Sequence, residues 1–537
     1  MAKDPYDPAH EEHEPDKQPS DMDGGPEEPS SGSGIFNRML DRLLDLVERS
    51  GNRLPDPVTV FVIIIALVMV TSVIAWSLGI SVIHPGTGEE IHAVNLFSGE
   101  NIQRIFREMP QTFAEFPPLG MVLVVMLGIG VADRSGLVTT SLKRFVEGAP
   151  SSLITAAIVF AGVMSSLAAD AGYVVLVPLG ALLFYSVGRH PLAGLAAAFA
   201  GVSAGFSANL LLTSLDPLLV GFTEPAAQIV DSNYFVNVAS NWYLMIALVP
   251  VLVTAGWYVT ERIVEPRLGS YEDQPEDIDT DEHTITDEVR RGHRWAGAVV
   301  LLFLIGVAFL VIPEGAPLRG EDGGLVPFYQ SLVAIIFFVF LLPGIVYGVV
   351  TGQITSDKDV ARMTAESMAS MGAYIVLAFV AAHLIAFFNW SNLGLIVAVG
   401  GAELLQGIGL GGIPLIIAFV FVTAIINLFI GSASAKWAIM APVFVPMLML
   451  MGFSPELTQA AYRVGDSFTN ILTPLLPYFP LIIIFAQKYQ RDLGLGTLIS
   501  LMVPYSIAFG LFTTIVLIIW ILLGLPLGPD SPLYYPS

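Results

Sequence analysis

Long apolar runs separated by short polar breaks occupy most of this sequence. A bilayer crossing takes about 20 apolar residues. Nine stretches are long and apolar enough: 57–79, 152–187, 192–214, 241–260, 296–313, 328–350, 413–451, 456–486 and 498–523. Two of them, 152–187 and 413–451, exceed one helix, and each has small or polar residues at its middle. Two further segments, about 101–137 and 362–393, are interrupted by Pro117-Pro118-Leu119-Gly120 and by Ser370-Met371-Gly372. These read as re-entrant hairpins, because non-helical backbone at membrane depth is tolerated only under cover of protein or a water-filled cavity. The pattern predicts an all-α polytopic membrane protein with nine transmembrane helices, two of them broken, and two re-entrant hairpins.

The two halves of the chain match at a shift of 264 residues: Ala171 with Ala435, Tyr173 with Trp437, Pro178 with Pro442, Gly188 with Gly452, Pro191 with Pro455, Gly201 with Gly465 and Ser203 with Ser467. Each half runs span, hairpin, broken span, span, span, over 55–260 and 328–523, with a connecting span in 296–327. Five spans per unit make the second inverted relative to the first. Inverted repeats with broken helices point to a transporter whose site lies at the repeat interface near the midplane.

Composition supports this. The chain is 54% hydrophobic and 13% charged, about half the charge of a soluble domain, and its mean hydropathy is +0.70. The net charge of −23 sits largely outside the spans. Residues 1–30 hold ten acids against two lysines, and 261–294 hold eleven acids against five arginines. We read 1–34 as a disordered acidic tail, 35–54 as an amphipathic surface helix, 261–295 as an acidic cytoplasmic loop and 524–537 as a C-terminal tail. An acidic surface argues against nucleic acid as a partner, and the absence of cysteine excludes thiol chemistry. The Lys/Arg bias of Arg38–Arg53, Arg290–Arg294, Lys358–Arg362 and Lys488–Arg491 places the N-terminus in the cytoplasm. Arg134, Lys143 and Arg144 disagree, since nine spans put them outside.

Ionisable groups inside apolar spans are costly and mark function. The first break reads Ser165-Ser166-Leu167-Ala168-Ala169-Asp170-Ala171-Gly172, and the second Gly431-Ser432-Ala433-Ser434-Ala435-Lys436-Trp437. Unwound backbone and hydroxyls there suit a ligand or an ion, Na⁺ included. A third cluster, Tyr462 to Asn470, sets Arg463, Asp466 and Asn470 on one helix face. Arg463 and Asp466 form an intrahelical ion pair or serve a substrate carboxylate and a proton respectively. Lys436 pairs with Asp466 or snorkels, and Trp437 suits an aromatic ring. Thr473, Pro474 and Pro477 end that helix, while Pro455 begins it. Asn209, Thr213, Ser214 and Asp216 are weaker candidates, and His383 reads as a packing histidine. No Walker A motif, nucleophile elbow or metal triad appears, so ion-gradient coupling is expected rather than ATP, a metal or another cofactor. An intramembrane hydrolase built on Ser434 and Lys436 fails on their spacing, so no enzyme activity is expected.

At Pro118-Leu119-Gly120, Gly128-Ile129-Gly130-Val131-Ala132-Asp133, Ser135-Gly136-Leu137, Asp170-Ala171-Gly172-Tyr173, Gly431 to Trp437, Tyr462 to Ser467 and Thr473-Pro474, the chain resembles the AbgT family, the p-aminobenzoyl-glutamate transporters. The resemblance runs from about 35 to 523. It implies a homodimer in the bacterial inner membrane, a bowl open to the cytoplasm and kinship with the ion-transporter superfamily. It also implies proton-driven movement of p-aminobenzoyl-glutamate or sulfonamide antimetabolites, with sodium-coupled carboxylate symport as the alternative. Carried over by position, the implicated residues are Asp170, Ser434, Trp437, Pro455, Arg463, Asp466 and Pro474.

Overall fold

The computed structural model describes residues 57–83, 88–168, 172–271, 286–320, 323–473 and 475–535. The expected tail 1–34 and surface helix 35–54, part of the acidic loop, Asp170 and Pro474 lie outside the described residues. The described chain is helical apart from one two-stranded ribbon, β1 (Ser81–Ile83) with β2 (Glu90–His92), and a few isolated bridges. Among the described residues eight helices are long and apolar enough to cross a membrane, or up to ten if each sharply bent pair counts as one span.

The first half contains α1 (Pro57–Ser77), α2 (Gly99–Ala114), α3 (Pro117–Arg134), α4 (Leu137–Glu147), α5 (Ile154–Met164), α6 (Val177–Ser186), α7 (Pro191–Phe199), α8 (Leu215–Ala227) and α9 (Trp242–Val259). After α10 (Asp287–Val311) come α11 (Leu332–Thr351), α12 (Asp357–Ser370), α13 (Gly372–Trp390), α14 (Leu393–Gly407) and α15 (Gly412–Asn427). The chain finishes with α16 (Ala433–Leu450), α17 (Pro455–Ser467), α18 (Phe479–Gln487) and α19 (Leu495–Leu522).

The structure relocates the hairpins. Segment 101–137 does not turn back: α2 and α3 form one membrane-length run, Gly99–Arg134. Pro117 and Pro118 stand at the first positions of α3, where a missing N–H has no intrahelical partner to lose, so they restart the helix. Segment 362–393 likewise contains a helix of spanning length, α13. The segments that return are those read as broken spans. Arg189, just after α6, donates from Nη1 to Thr155 Oγ1 at the start of α5 (2.8 Å), so both ends of 154–186 lie together. At the other hairpin, Met451, just past α16, meets Gln406 at the end of α14. Two amphipathic or flat-lying helices feed these hairpins through sharp bends, 114° between α4 and α5 and 119° between α14 and α15. Gly409 (φ +70°) and Gly412 (φ +58°) make the second bend, a backbone that L side chains rarely adopt.

The spans at 192–214 and 456–486 are themselves discontinuous. Helix α7 runs through a wide π turn, Ala200–Ala204, and then unwinds before α8. Helix α17 ends at Ser467 and the chain is irregular until α18. The starts of α8 and α18, Leu215 and Phe479, are again 264 residues apart. Non-helical backbone thus sits at the centre of the molecule, where protein covers it.

Arg134, Lys143 and Arg144 also find their place. Arg134 pairs with Glu366 of α12 (2.8 Å), and Ser141 of α4 meets His293 of α10 (3.0 Å). Arg189 grips Glu265 in bidentate fashion (2.8 and 2.5 Å). Because Gly99–Arg134 crosses fully, these basic groups gather at the same end as Arg290–Arg294 and Arg362. At the opposite end, Asn392 donates to His92 O (2.8 Å) and Val94 N to Ser391 O (3.0 Å). There residues 524–535 are stitched down by Tyr243 N to Leu527 O (2.9 Å), Ser454 N to Leu533 O (3.1 Å) and Tyr535 N to Gly452 O (3.0 Å). That ordered strap replaces the expected C-terminal tail.

One matched glycine pair shows what the repeat preserves. A Cβ on Gly201 would stand 2.7 Å from Val159 O, and one on Gly465 would stand 2.8 Å from Thr423 Cβ. Each glycine lets the helix after a hairpin press on that hairpin's first arm. Gly465→Val is expected to force α17 off α15 at a cost of about 1–3 kcal/mol or more. A lowered melting temperature of the detergent-purified protein checks this; an unchanged one would refute the close approach.

Candidate functional site

The two hairpin tips meet. A cavity of ≈ 210 Å³ lies between them, lined by Ser165 and Ser166 of the first tip, Gly431 and Ala433 of the second, and Ser214 and Asn470 of the unwound crossings. Tyr173 also faces it and stacks on Tyr478, with ring centroids 4.4 Å apart and planes 8° from parallel. Its polar groups are tethered. Ser166 Oγ accepts from Asn209 Nδ2 (2.9 Å), and Asn470 Nδ2 donates to Ser203 O (3.3 Å). Thr473 Oγ1 donates to Leu428 O (3.1 Å), tying the unwound stretch after α17 to the second tip.

Behind this cavity stands α17, all thirteen of whose residues are buried. Its two charges have different partners. Arg463 Nη2 bonds Asp216 Oδ1 of α8 (2.5 Å), and Nη1 meets Met245 Sδ (3.2 Å). Asp216 is completed by Thr213 N (2.6 Å) and Thr213 Oγ1 (3.0 Å), both on Oδ2. Asp466 pairs instead with Lys436 of α16, and both side chains are wholly shielded. Lys436 Nζ also donates to Asn427 Oδ1 at the end of α15. Asn427 Nδ2 in turn reaches Asp466 O (2.6 Å), Thr469 Oγ1 (2.7 Å) and Asn470 Oδ1 (2.8 Å). Two buried ion pairs thus flank the cavity, one joining the repeats and one inside the second. Such pairs are tolerated at this depth because each charge has both a counter-ion and hydrogen bonds. Two polar atoms remain buried with no partner among the described residues, Arg463 Nε and Asp466 Oδ2.

Trp437 does not line the cavity. Its indole N–H donates to Thr223 Oγ1 (2.9 Å) and Leu219 O (3.2 Å), and its ring packs on Tyr462 at 4.4 Å. Tyr462 OH donates to Ala433 O (2.6 Å), which pins the second tip to α17. Thr223 continues to Gln459 Oε1 (2.5 Å), and Gln459 Nε2 to Asn241 Oδ1 (2.9 Å).

Of the residues singled out from sequence, Ser165, Ser166 and Asn470 line the cavity. Gly172 is buried where a Cβ would stand 2.8 Å from Ser165 Cβ. Ser432 caps α16 by accepting from Ala435 N (3.3 Å), and its hydroxyl lies 3.2 Å from that of Ser434. Pro455 occupies the first turn of α17, about 12 Å along the helix from Arg463. His383 is buried against Phe379, with Nδ1 2.6 Å from Phe379 O. Sequence spacing missed Asn427, and ranked Asp216 too low. Asn427 had a readable signal: a lone amide closing an apolar run is itself an intramembrane polar group. Among the described residues no three of His, Asp and Glu gather to hold a metal.

Comparison with known proteins agrees with this geometry. Residues 42–535 match the AbgT transporter family. The p-aminobenzoyl-glutamate transport protein of Escherichia coli K12 is 38% identical over 491 residues, covering 91% of this chain and 96% of that protein. The solved Alcanivorax borkumensis YdaH transporter superposes with a TM-score of 0.84 at 44% identity, covering 88% of this chain and all of that one. Neisseria gonorrhoeae MtrF, described with a class of antimetabolite efflux pumps, superposes at 0.87 with 45% identity, covering 91% of this chain and all of that one. The chain is a multi-pass membrane protein and belongs to the AbgT family of transporters.

Proposed function

We propose that this protein is a secondary-active transporter of the inner membrane, with a cytoplasmic N-terminus, that moves p-aminobenzoyl-glutamate, sulfonamide antimetabolites or both by alternating access on the proton gradient. Counting α7–α8 and α17–α18 as one discontinuous crossing each, the reading has nine crossings and two hairpins. The observation that carries it is the meeting of two hairpin tips, inserted from opposite ends, at a cavity backed by two buried ion pairs. Support for the substrate class comes from the relatives' names and from the chemistry of the site. The Tyr173–Tyr478 stack offers an aromatic wall to an aniline ring. Arg463 suits a glutamate carboxylate through its planar fork, but it is engaged by Asp216. A substrate carboxylate therefore exchanges with Asp216 rather than filling a vacant cation.

The proton is assigned to Asp466. Its Oδ1 is held by Lys436, with Tyr462 OH at 3.4 Å, while its buried Oδ2 has no partner among the described residues. Oδ2 can take a proton without displacing a hydrogen bond, and neutralising Asp466 frees Lys436 from its counter-ion. Ser434 and the first tip complete the moving parts. The test is accumulation of labelled p-aminobenzoyl-glutamate in proteoliposomes under a pH gradient at fixed Na⁺. Flux that follows Na⁺ alone would overturn the proton assignment.

A further inference from the structure

A second cavity, of ≈ 520 Å³, opens at the end opposite the basic loops. It is walled by α2, the α2–α3 break, the end of α8 and α13, and is lined by Glu108, Gln111, Glu115, Gln228, Asn389 and Trp390 among others. Its charges are not equivalent. Glu108 is neutralised by Arg104 (3.0 Å) and Arg107 (2.9 Å), and Arg104 also lies over the Trp390 ring at 4.3 Å. Glu115, exposed, receives only the neutral amide of Gln111 (2.8 Å). The mouth therefore carries one uncompensated carboxylate among amides and an indole.

This mouth leads to the central cluster. Helix α8 carries Asp216, bonded to Arg463, at one end and Thr223, bonded to Trp437, in its middle. Gln228, one and a half turns beyond Thr223, is about 7.5 Å further along the axis and lines the mouth. The floor is aromatic: Phe116 of the mouth packs on the fully buried Phe222 of α8, ring centroids 5.9 Å apart.

We propose that this cavity is a peripheral selectivity site for uncharged aromatic amines, resting on the transporter reading above. An aniline N–H₂ is a donor that Glu115 and the amide oxygens of Gln228 and Asn389 can accept, and the ring lies against Trp390. A dicarboxylate conjugate meets the unpaired Glu115 charge as a repulsion, and a like charge at a mouth lowers the local concentration of an anion. The cavity thus ranks sulfanilamide-type amines above aminobenzoyl-glutamate before either reaches Arg463, which prefers the carboxylate. Two sites of opposite preference set the balance between the two substrate classes.

The experiment measures KM and maximal rate for sulfanilamide and for p-aminobenzoyl-glutamate in proteoliposomes, for wild type, Glu115→Gln and Glu115→Lys. The expected result is a KM for the conjugate that falls roughly 3- to 10-fold in Glu115→Lys and less in Glu115→Gln. The KM for sulfanilamide rises, and both maximal rates stay unchanged. Raising the salt lowers the conjugate KM in wild type but not in Glu115→Lys, because the screened charge is Glu115. Equal shifts for both substrates, or none, overturn the selectivity site while leaving the transporter intact. A wild type that moves neither substrate overturns both readings.

Discussion

Replacing Lys436 by methionine is expected to be among the most destabilising single changes in this protein. Lys436 and Asp466 are both fully shielded and form an ion pair, with Asn427 as the second acceptor for the ammonium. Methionine fills the volume but leaves the Asp466 carboxylate without its counter-ion at bilayer depth. Removing one partner of a buried pair costs about 3–5 kcal/mol, whereas replacing both is often close to neutral. Lys436→Met should therefore lower the melting temperature of the purified protein steeply, and Lys436→Met with Asp466→Asn should recover most of it. The double variant remains inactive in gradient-driven transport, because nothing is left to carry the proton. A single variant as stable as wild type would show that Asp466 is not an anion in this conformation.

The second large effect concerns recognition. Arg463→Ala is expected to reduce transport of p-aminobenzoyl-glutamate roughly 10- to 100-fold, the worth of one charge-assisted hydrogen bond of about 1.5–3 kcal/mol. Sulfanilamide, which has the ring but no carboxylate, should lose less. The change also strands Asp216, whose Oδ1 Arg463 holds at 2.5 Å. Arg463→Ala with Asp216→Asn separates the two consequences: stability returns, and the selective loss of the conjugate persists. Equal loss of both substrates in the double variant would mean that Arg463 serves the fold and not the carboxylate.

Much of this site was legible in the sequence, and the reasons for what was not are physical. The polar breaks inside 152–187 and 413–451, and the pairing of Lys436 with Asp466, follow from the cost of charge and irregular backbone among apolar residues. The helical spacing of Arg463 and Asp466 correctly puts them on one helix, yet it cannot choose partners. Arg463 finds Asp216, 247 residues earlier, and that contact exists only once α8 packs on α17. Trp437 looked like a ring-stacking residue because it follows a break. Its indole N–H is spent on α8, and Tyr173, its counterpart in the other repeat, faces the cavity instead. The hairpins were misplaced because Pro117-Pro118 breaks a pattern without bending a helix. The arms of 154–186 are apolar enough to read as a span. Only the bond between Arg189 and Thr155 reveals that both ends lie on one side.

The most direct test of proton-driven transport is to load proteoliposomes with a pH indicator and add p-aminobenzoyl-glutamate outside with no imposed gradient. The account predicts substrate movement accompanied by proton movement in wild type, and loss of the proton signal in Asp466→Asn. Substrate movement with no proton movement in wild type, or a proton signal that survives Asp466→Asn, would contradict it.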